Sequence, residues 1–199
     1  MPITKELVQS VRERVAANPA VPFALLAGEL RASEAEVITA LPLNMRIRAK
    51  NSDFAVIWQA LSALPGVNLC LTAPGRVLNQ SAPLPAGGQV GSRFVFFDQT
   101  SILGGFLDLE NLGYIWFVSR TEQNIPSFSV QFYDKEGAQL FSVFLKQDEQ
   151  GGIRPEEKEL FENMRKEFGV IPKPHNRCKG CTNCTCNGKG GGHHHHHHH

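Results

Sequence analysis

Hydrophobic and polar residues near the N-terminus recur with the spacing of short helices. Thr4 can cap a first helix, Pro22 suits the start of a second, and Ser33 with Glu36 forms a capping box for a third. The apolar face of the first helix recurs every four residues, at Leu7, Val11 and Val15. Pro42 cannot continue a helix, so the pattern predicts three short helices before it.

Farther along the chain, the pattern changes from helical spacing to short apolar runs. A fourth helix is predicted over residues 52–64, with Ser52 as its cap. Its apolar face comprises Phe54, Ile57, Trp58 and Leu61. The following runs, bounded by Gly, Pro, Asn and Asp, predict an antiparallel sheet. They are VNLCLT, RVLNQ, SRFVFF, SILGGFLDL, YIWFVSR, SFSVQFYD and AQLFSVFL.

The run SFSVQFYD shows the alternation of a strand most clearly. Phe128, Val130 and Phe132 alternate with Ser129 and Gln131, which predicts one face toward the core and one polar face. The DKEG sequence that follows is typical of a hairpin turn into the next strand.

The last predicted element is a helix that begins at Pro155, and its apolar stripe comprises Leu160, Met164 and Phe168. The expected fold class is therefore α+β, with a helix-turn-helix-like N-terminal segment packed on a large antiparallel sheet. We assign residues 1–43 to the helical segment, residues 44–170 to the sheet domain and residues 171–199 to a flexible, disordered tail that is too rich in glycine and polar residues to form a core.

The helix-turn-helix pattern makes DNA binding a hypothesis. Its last helix carries Glu34 and Glu36 but no Lys or Arg, where a recognition helix would meet phosphates and base edges. Nucleic acid is therefore not a favoured partner, and we expect this segment to pack on the main domain.

Composition indicates where in the cell the protein works and which classes of binding partner are favoured. The chain has 199 residues, 42% of them hydrophobic, and a net charge of +1, so it can bury a sizeable core and presents no broad field to nucleic acid. It has neither the apolar run of a signal peptide nor one of about 18 residues that could span a bilayer. We expect a soluble cytoplasmic protein, in which clustered cysteines favour metal binding over disulfides.

Near the C-terminus, the sequence CKGCTNCTC places Cys178, Cys181, Cys184 and Cys186 in a C-x-x-C-x-x-C-x-C pattern, with His175 just before it. Four thiolates on a short loop select a soft transition metal, either Zn or Cu(I), or an iron-sulfur cluster. The alternative is four unliganded thiols. The terminal run of seven histidines has the form of a purification tag and also of a His-rich metal tract, and both interpretations stay open.

Several stretches together resemble the haem-carrier family of the HutX/ChuX type. They are ALLAGELRASEAEVITALP, FAVIWQAL, PLPAGG, FLDLENLGYIWFVSR and FSVQFYDKEGAQLFSVFL. The resemblance spans about residues 7 to 170 and implies a helical segment on an antiparallel sheet, a homodimer, and haem or a related tetrapyrrole as the ligand.

The resemblance also implies which residues contact haem. The two positions that hold haem-ligating histidines in the family are Thr72 and Phe106 here, and neither side chain suits iron. Phe106 can instead stack on a porphyrin, with Arg93 or Arg120 near the propionates. No histidine precedes His175, so the other possible iron ligands in the domain are Cys70, Met45, Met164, Tyr114 and Tyr133.

Three functions follow from these observations. The first is a haem-binding and transfer protein with a metal-binding tail, and it is not an enzyme. The second is an enzyme that degrades haem or removes its metal, which the lack of a catalytic constellation disfavours. The third is a metal-responsive DNA-binding regulator that combines the N-terminal helices with the tail.

Overall fold

In the computed structural model, which describes residues 3–101, 103–122 and 124–172, five helices surround two antiparallel sheets. The helices are α1 (Lys5–Ala17), α2 (Phe23–Leu30), α3 (Glu34–Ala40), α4 (Phe54–Ser62) and α5 (Pro155–Phe168). The strands are β1 (Arg46–Ala49), β2 (Val67–Ala73), β3 (Arg76–Ala82), β4 (Gly87–Val90), β5 (Arg93–Phe96), β6 (Phe106–Asp108), β7 (Leu112–Glu122), β8 (Ile125–Asp134), β9 (Gln139–Leu145) and β10 (Gly169–Val170). The α+β class predicted from the sequence is confirmed, and the predicted metal-binding tail lies outside the described residues.

The helix starts follow the predicted caps except at α4. The Thr4 hydroxyl accepts a hydrogen bond from the Leu7 amide at 3.1 Å, and Ser33 and Glu36 form the reciprocal bonds of a capping box. Ser52 does not cap α4, because a single 3-10 turn, Asn51–Asp53, precedes that helix. The Asn51 amide donates to the carbonyls of Leu112 and Gly113, so a contact with β7 fixes the entry to α4.

The strands form two sheets where the sequence predicted one. The large sheet has seven strands in the order β10-β1-β7-β8-β9-β2-β3, and the small sheet has three in the order β4-β5-β6. The indole nitrogen of Trp58 on α4 donates to the Pro85 carbonyl at 2.8 Å, just before β4. Phe94 of β5 is buried against Phe54 and Trp58, so the small sheet covers α4 through aromatic packing.

The central strands of the large sheet are buried on both faces. One face packs on α4 and α5 through residues that include Phe117, Val130 and Phe132. The opposite face packs on α1, α2 and α3 through Trp116, Val118 and Tyr133. The sequence predicted one core face for β8, and this is wrong, since Ser129 and Gln131 on its other, polar face are also buried. Alternation in the sequence marks two different buried faces here.

The third helix of the N-terminal segment is committed to this packing. None of the seven residues of α3 is exposed, and the Ala35 amide donates to the Gly137 carbonyl in the turn between β8 and β9. Ala35, Val37, Ile38 and Ala40 are buried in the core that α3 shares with α1, α2 and the large sheet, and Glu34, Glu36 and Thr39 are half-buried. No helix in the described part of the chain is both long and apolar enough to cross a membrane.

Candidate functional site

An apolar cleft lies where the small sheet meets β2 and β9 of the large sheet. Its volume is about 240 Å³. The lining is mostly apolar and includes Phe54, Leu71, Phe106, Leu107, Leu140 and Phe141, with Asp108 and Asn111 as its polar members. Leu71 and Phe106 are the exposed apolar side chains of the lining, at 37% and 51%, and we call the part of the cleft beside them its mouth. We call it the apolar cleft.

Arg93 and Phe106 come together at the mouth of this cleft. Both belong to the small sheet, in which Arg93 pairs with Asp108 and Val95 pairs with Phe106. The guanidinium carbon of Arg93 lies 4.1 Å from the centre of the Phe106 ring, which is the geometry of a cation–π contact. The stack places a positive charge beside an exposed aromatic face, a combination that suits a flat apolar ligand with carboxylates at its edge.

Thr72 lies beside the cleft along the chain, but its side chain points to the other face of the sheet from that of Leu71. Its hydroxyl contacts the Gln139 side-chain oxygen at 3.1 Å. Gln139 in turn donates to the Tyr133 hydroxyl, which donates to Gln131 at 2.6 Å. Thr72 therefore ends a polar chain that runs under the N-terminal helices.

Arg120 lies on the helix-bundle side and does not line the apolar cleft. Its guanidinium donates to the carbonyls of Pro19 and Val21 at 2.7 and 2.6 Å. The guanidinium carbon of Arg120 lies 4.0 Å from the centre of the Phe23 ring, which is a cation–π contact. The structure thus brings Arg93 and Phe106 together, with Thr72 one residue from the cleft, and assigns Arg120 to contacts between β7 and the segment around α2.

The side chains that could ligate iron do not line the apolar cleft. Met164 and Tyr133 are buried. Met45 and Tyr114 are half-buried against the core that the large sheet forms with α1, α2 and α3. Cys70 is half-buried and precedes Leu71, so its side chain faces away from the cleft. Among the described residues, no three His, Cys, Asp or Glu side chains are grouped to hold a metal ion.

Apart from Phe106, the sequence did not single out the residues that line the cleft, nor those of a second, larger cavity. Leu71 and Phe141 stand in apolar runs that also supply core residues such as Leu69 and Val143, so nothing in those runs marks them as cleft residues. The second cavity, of about 790 Å³, lies between Ala20, β3 and β9 and is lined by uncharged side chains such as Asn68, Asn79 and Phe144. Only the fold brings these segments together.

Comparisons with known proteins place this architecture among haem-related proteins. The profile of a family described as haem utilisation ChuX/HutX matches residues 47–164. The intracellular heme transport protein HutX of Vibrio cholerae is 25% identical over 163 residues, which cover 82% of this chain and 84% of that protein.

Two solved structures show the same fold. A protein of Erwinia carotovora has a TM-score of 0.73 and 23% identity, over 84% of this chain and 99% of that chain. The heme-binding protein ChuX has a TM-score of 0.70 and 19% identity, over 79% of this chain and 97% of that chain.

Proposed function

The chain belongs to the ChuX/HutX family of haem-utilisation proteins, and from this premise we propose that it is an intracellular, non-enzymatic carrier that binds haem and passes it on. The observation that carries the proposal is the apolar cleft with Arg93 stacked on Phe106 at its mouth. Porphyrin is flat and apolar and carries two carboxylates, so it needs an aromatic or aliphatic surface and a positive group at its edge.

The size of the cleft supports a partly exposed haem. Ligand cavities that enclose a small molecule have volumes of about 300–1,000 Å³, and the apolar cleft has about 240 Å³. We expect one edge of the porphyrin to enter the cleft while the rest lies over the adjoining surface. That surface includes Leu78, which is 59% exposed and pairs with Leu71 across β2 and β3. Partial exposure suits a carrier, because haem must leave for an acceptor.

A haem titration followed by absorbance tests this proposal with a matched pair of variants. Phe106→Ser removes the aromatic surface at the mouth, and we expect haem affinity to fall by about tenfold or more, which corresponds to about 1.4 kcal/mol. Phe97→Ser is the control, since Phe97 is similarly exposed, at 58%, and does not line the cleft. Equal haem affinities for the two variants would show that haem binds elsewhere.

Charge and chemistry are tested in the same assay. Arg93→Gln is expected to weaken haem binding several-fold, whereas Arg31→Gln, at the exposed end of α2 on the opposite face of the large sheet, is expected to leave it unchanged. When oxygen and a reductant are added, a carrier keeps the porphyrin absorbance. Loss of that absorbance with formation of a ring-opened product would instead support the haem-degrading enzyme.

We propose in addition that the tail binds one soft metal ion, Zn or Cu(I), through Cys178, Cys181, Cys184 and Cys186, with His175 as a further donor. Metal analysis of three proteins tests this: the full chain, a variant with all four cysteines changed to Ser, and a variant that lacks residues 193–199. We expect metal to be lost from the Cys→Ser variant and kept when the histidine run is removed. The reverse result would assign the metal to the histidines.

A further truncation, a protein that ends at Pro172, decides whether the tail also supplies the iron ligand that the cleft lining lacks. A Soret shift in the full chain that is absent from a protein ending at Pro172 would place the ligand on the tail. An equal shift in both would place it among Cys70, Met45, Met164, Tyr114 and Tyr133.

A further inference from the structure

A third cavity lies between α1, the loop that joins α3 to β1, the end of β7 and the start of β8. It shares no lining residue with the apolar cleft, and its volume of about 410 Å³ is within the range of small-molecule sites. Its walls are mostly apolar and include Val15, Met45 and Phe128. Arg12 and Arg120 also line it, and none of the described side chains in the lining is acidic. We call it the arginine pocket.

Two arginine side chains bind the end of α3 and keep their charge. Arg12 donates through Nε to the Ala40 carbonyl at 3.2 Å. Arg46 donates to the carbonyls of Thr39 and Leu41 at 2.8 and 3.3 Å. Carbonyls at the end of a helix carry only a partial negative charge, so these bonds do not neutralise a guanidinium. Within the described ranges, neither arginine forms an ion pair with a carboxylate.

The charge of Arg12 is the more accessible of the two. Arg46 is half-buried and stacks on Trp116, with its guanidinium carbon 5.4 Å from the ring centre. Burial lowers the pKa of Arg46 from its ordinary value, and the charge of Arg12 lowers it further. Arg12 is exposed, and its terminal N–H groups have no hydrogen-bond partner in the described part of the chain. An anion at Arg12 therefore finds free donors and relieves the repulsion between the two arginines.

A buried hydroxyl supplies a second donor. Ser119 lines the arginine pocket, and its Oγ is buried without a hydrogen-bond partner among the described residues. It lies directly opposite Phe128 across β7 and β8, so the two side chains share one face of the sheet. A buried hydroxyl without a partner costs stability, which a ligand oxygen can restore. The pocket thus combines unused donors, at Ser119 and Arg12, with an apolar wall.

We propose that the arginine pocket binds a fatty-acid-like monocarboxylate, with the carboxylate at Arg12 and the hydrocarbon chain against the apolar walls. A guanidinium matches a carboxylate because two parallel N–H groups can bond both oxygens. The apolar walls disfavour a small hydrophilic anion such as phosphate, because they offer nothing in return for its lost hydration. Because the pocket and the apolar cleft share no lining residue, this ligand does not depend on haem binding.

An NMR titration of the isotope-labelled, haem-free, full-length protein with octanoate tests the site. We expect saturable shifts at the amides of Met45 and Ser119, and an affinity that falls about fivefold or more in Arg12→Gln. Arg14→Gln is the matched control, because Arg14 lies on the same helix, is exposed, pairs with Glu29 and does not line the pocket. Its affinity for octanoate is expected to match that of the wild type.

Octanol keeps the hydrocarbon chain and lacks the charge, so comparing it with octanoate on the wild type needs no variant. We expect octanol to bind several-fold more weakly. Equal affinities for octanol and octanoate, or equal octanoate affinities for Arg12→Gln and the wild type, would overturn the proposal, as would the absence of any saturable shift. Loss of octanoate binding in Phe106→Ser would also overturn it, because the fatty acid would then occupy the apolar cleft.

Discussion

At the residue scale, Arg120 shows how one side chain can join two parts of the fold. The sequence offered it as a contact for haem propionates. In the structure its guanidinium binds two main-chain carbonyls ahead of α2 and stacks on Phe23. A planar guanidinium suits this role because it can donate several hydrogen bonds in a fixed geometry while its face covers a ring.

Arg120→Ala is expected to lower the free energy of unfolding by about 2 kcal/mol, since it removes charge-assisted hydrogen bonds and a cation–π contact together. Urea denaturation measures the loss. Arg93→Ala is the control, because Arg93 stacks on one exposed ring, and the loss of stability is expected to stay below about 1 kcal/mol. Equal losses in the two variants would contradict the structural role of Arg120.

Tyr133 makes stability depend on pH at the alkaline end. Burial raises the pKa of its hydroxyl well above the ordinary value of 10.0, and the charge of Glu34 adds to the effect. The unfolded chain loses this proton near its ordinary pKa while the folded chain holds it. The contribution to stability is therefore complete below about pH 10 and is lost as the pH rises toward the folded-state pKa.

We therefore expect Tyr133→Phe to be less stable than the wild type at pH 8, by about 1 kcal/mol for the lost hydrogen bond to Gln131. Between pH 8 and pH 11 the variant should lose less stability than the wild type, as measured by urea denaturation at each pH. Tyr114→Phe is the matched control. A parallel decline of Tyr133→Phe and the wild type would contradict this account.

At the element scale, the starts of α1 and α3 follow local chemistry, whereas the start of α4 and the pairing of strands do not. The capping box at Ser33 could be predicted from the sequence because both partners, Ser33 and Glu36, lie within four residues and bond only each other in the box. The start of α4 was not, since Asn51 binds the carbonyls of Leu112 and Gly113 from another element. Strand β10 was missed for a related reason. It has two residues, and it pairs with β1 from a distant part of the chain.

The capping box gives the prediction at this scale. Ser33→Ala is expected to lower the free energy of unfolding by about 1 kcal/mol, because the Glu36 amide loses its acceptor. Thermal unfolding measures the change. Ser62→Ala is the control, since the Ser62 hydroxyl donates to the carbonyl of Gln59 three residues before it and caps no helix start. An equally large loss of unfolding free energy in Ser62→Ala would show that the capping box does not itself stabilise the protein.

At the scale of the whole molecule, the large sheet belongs to two hydrophobic cores. The first core lies between the large sheet, α4 and α5 and holds Trp58. The second lies on the opposite face of the sheet, where Trp116 packs with buried residues of α1, α2 and α3. The central strands contribute side chains to both cores. If one core is lost, these strands are exposed to water on one face and supported only on the other. The two cores are therefore expected to unfold together.

The two tryptophans test this coupling. Trp58→Phe leaves the fluorescence of Trp116, and Trp116→Phe leaves that of Trp58. In each variant, we expect the fluorescence transition in urea to coincide with the far-ultraviolet circular dichroism transition. A Trp116 signal that changes at lower urea than circular dichroism would show that the N-terminal helices detach first.

Sequence alone determined the helices, most strands, the α+β class and the resemblance to a haem-carrier family, because these depend on local periodicity, caps and short motifs. It also indicated Phe106 and Arg93 as possible neighbours of a porphyrin. Only the tertiary structure decided that these two residues stack at one cleft, that Arg120 lies on the other side, and that the strands divide into two sheets. Those facts depend on contacts between residues far apart in the chain, and the spacing of residues within one segment carries no record of such contacts.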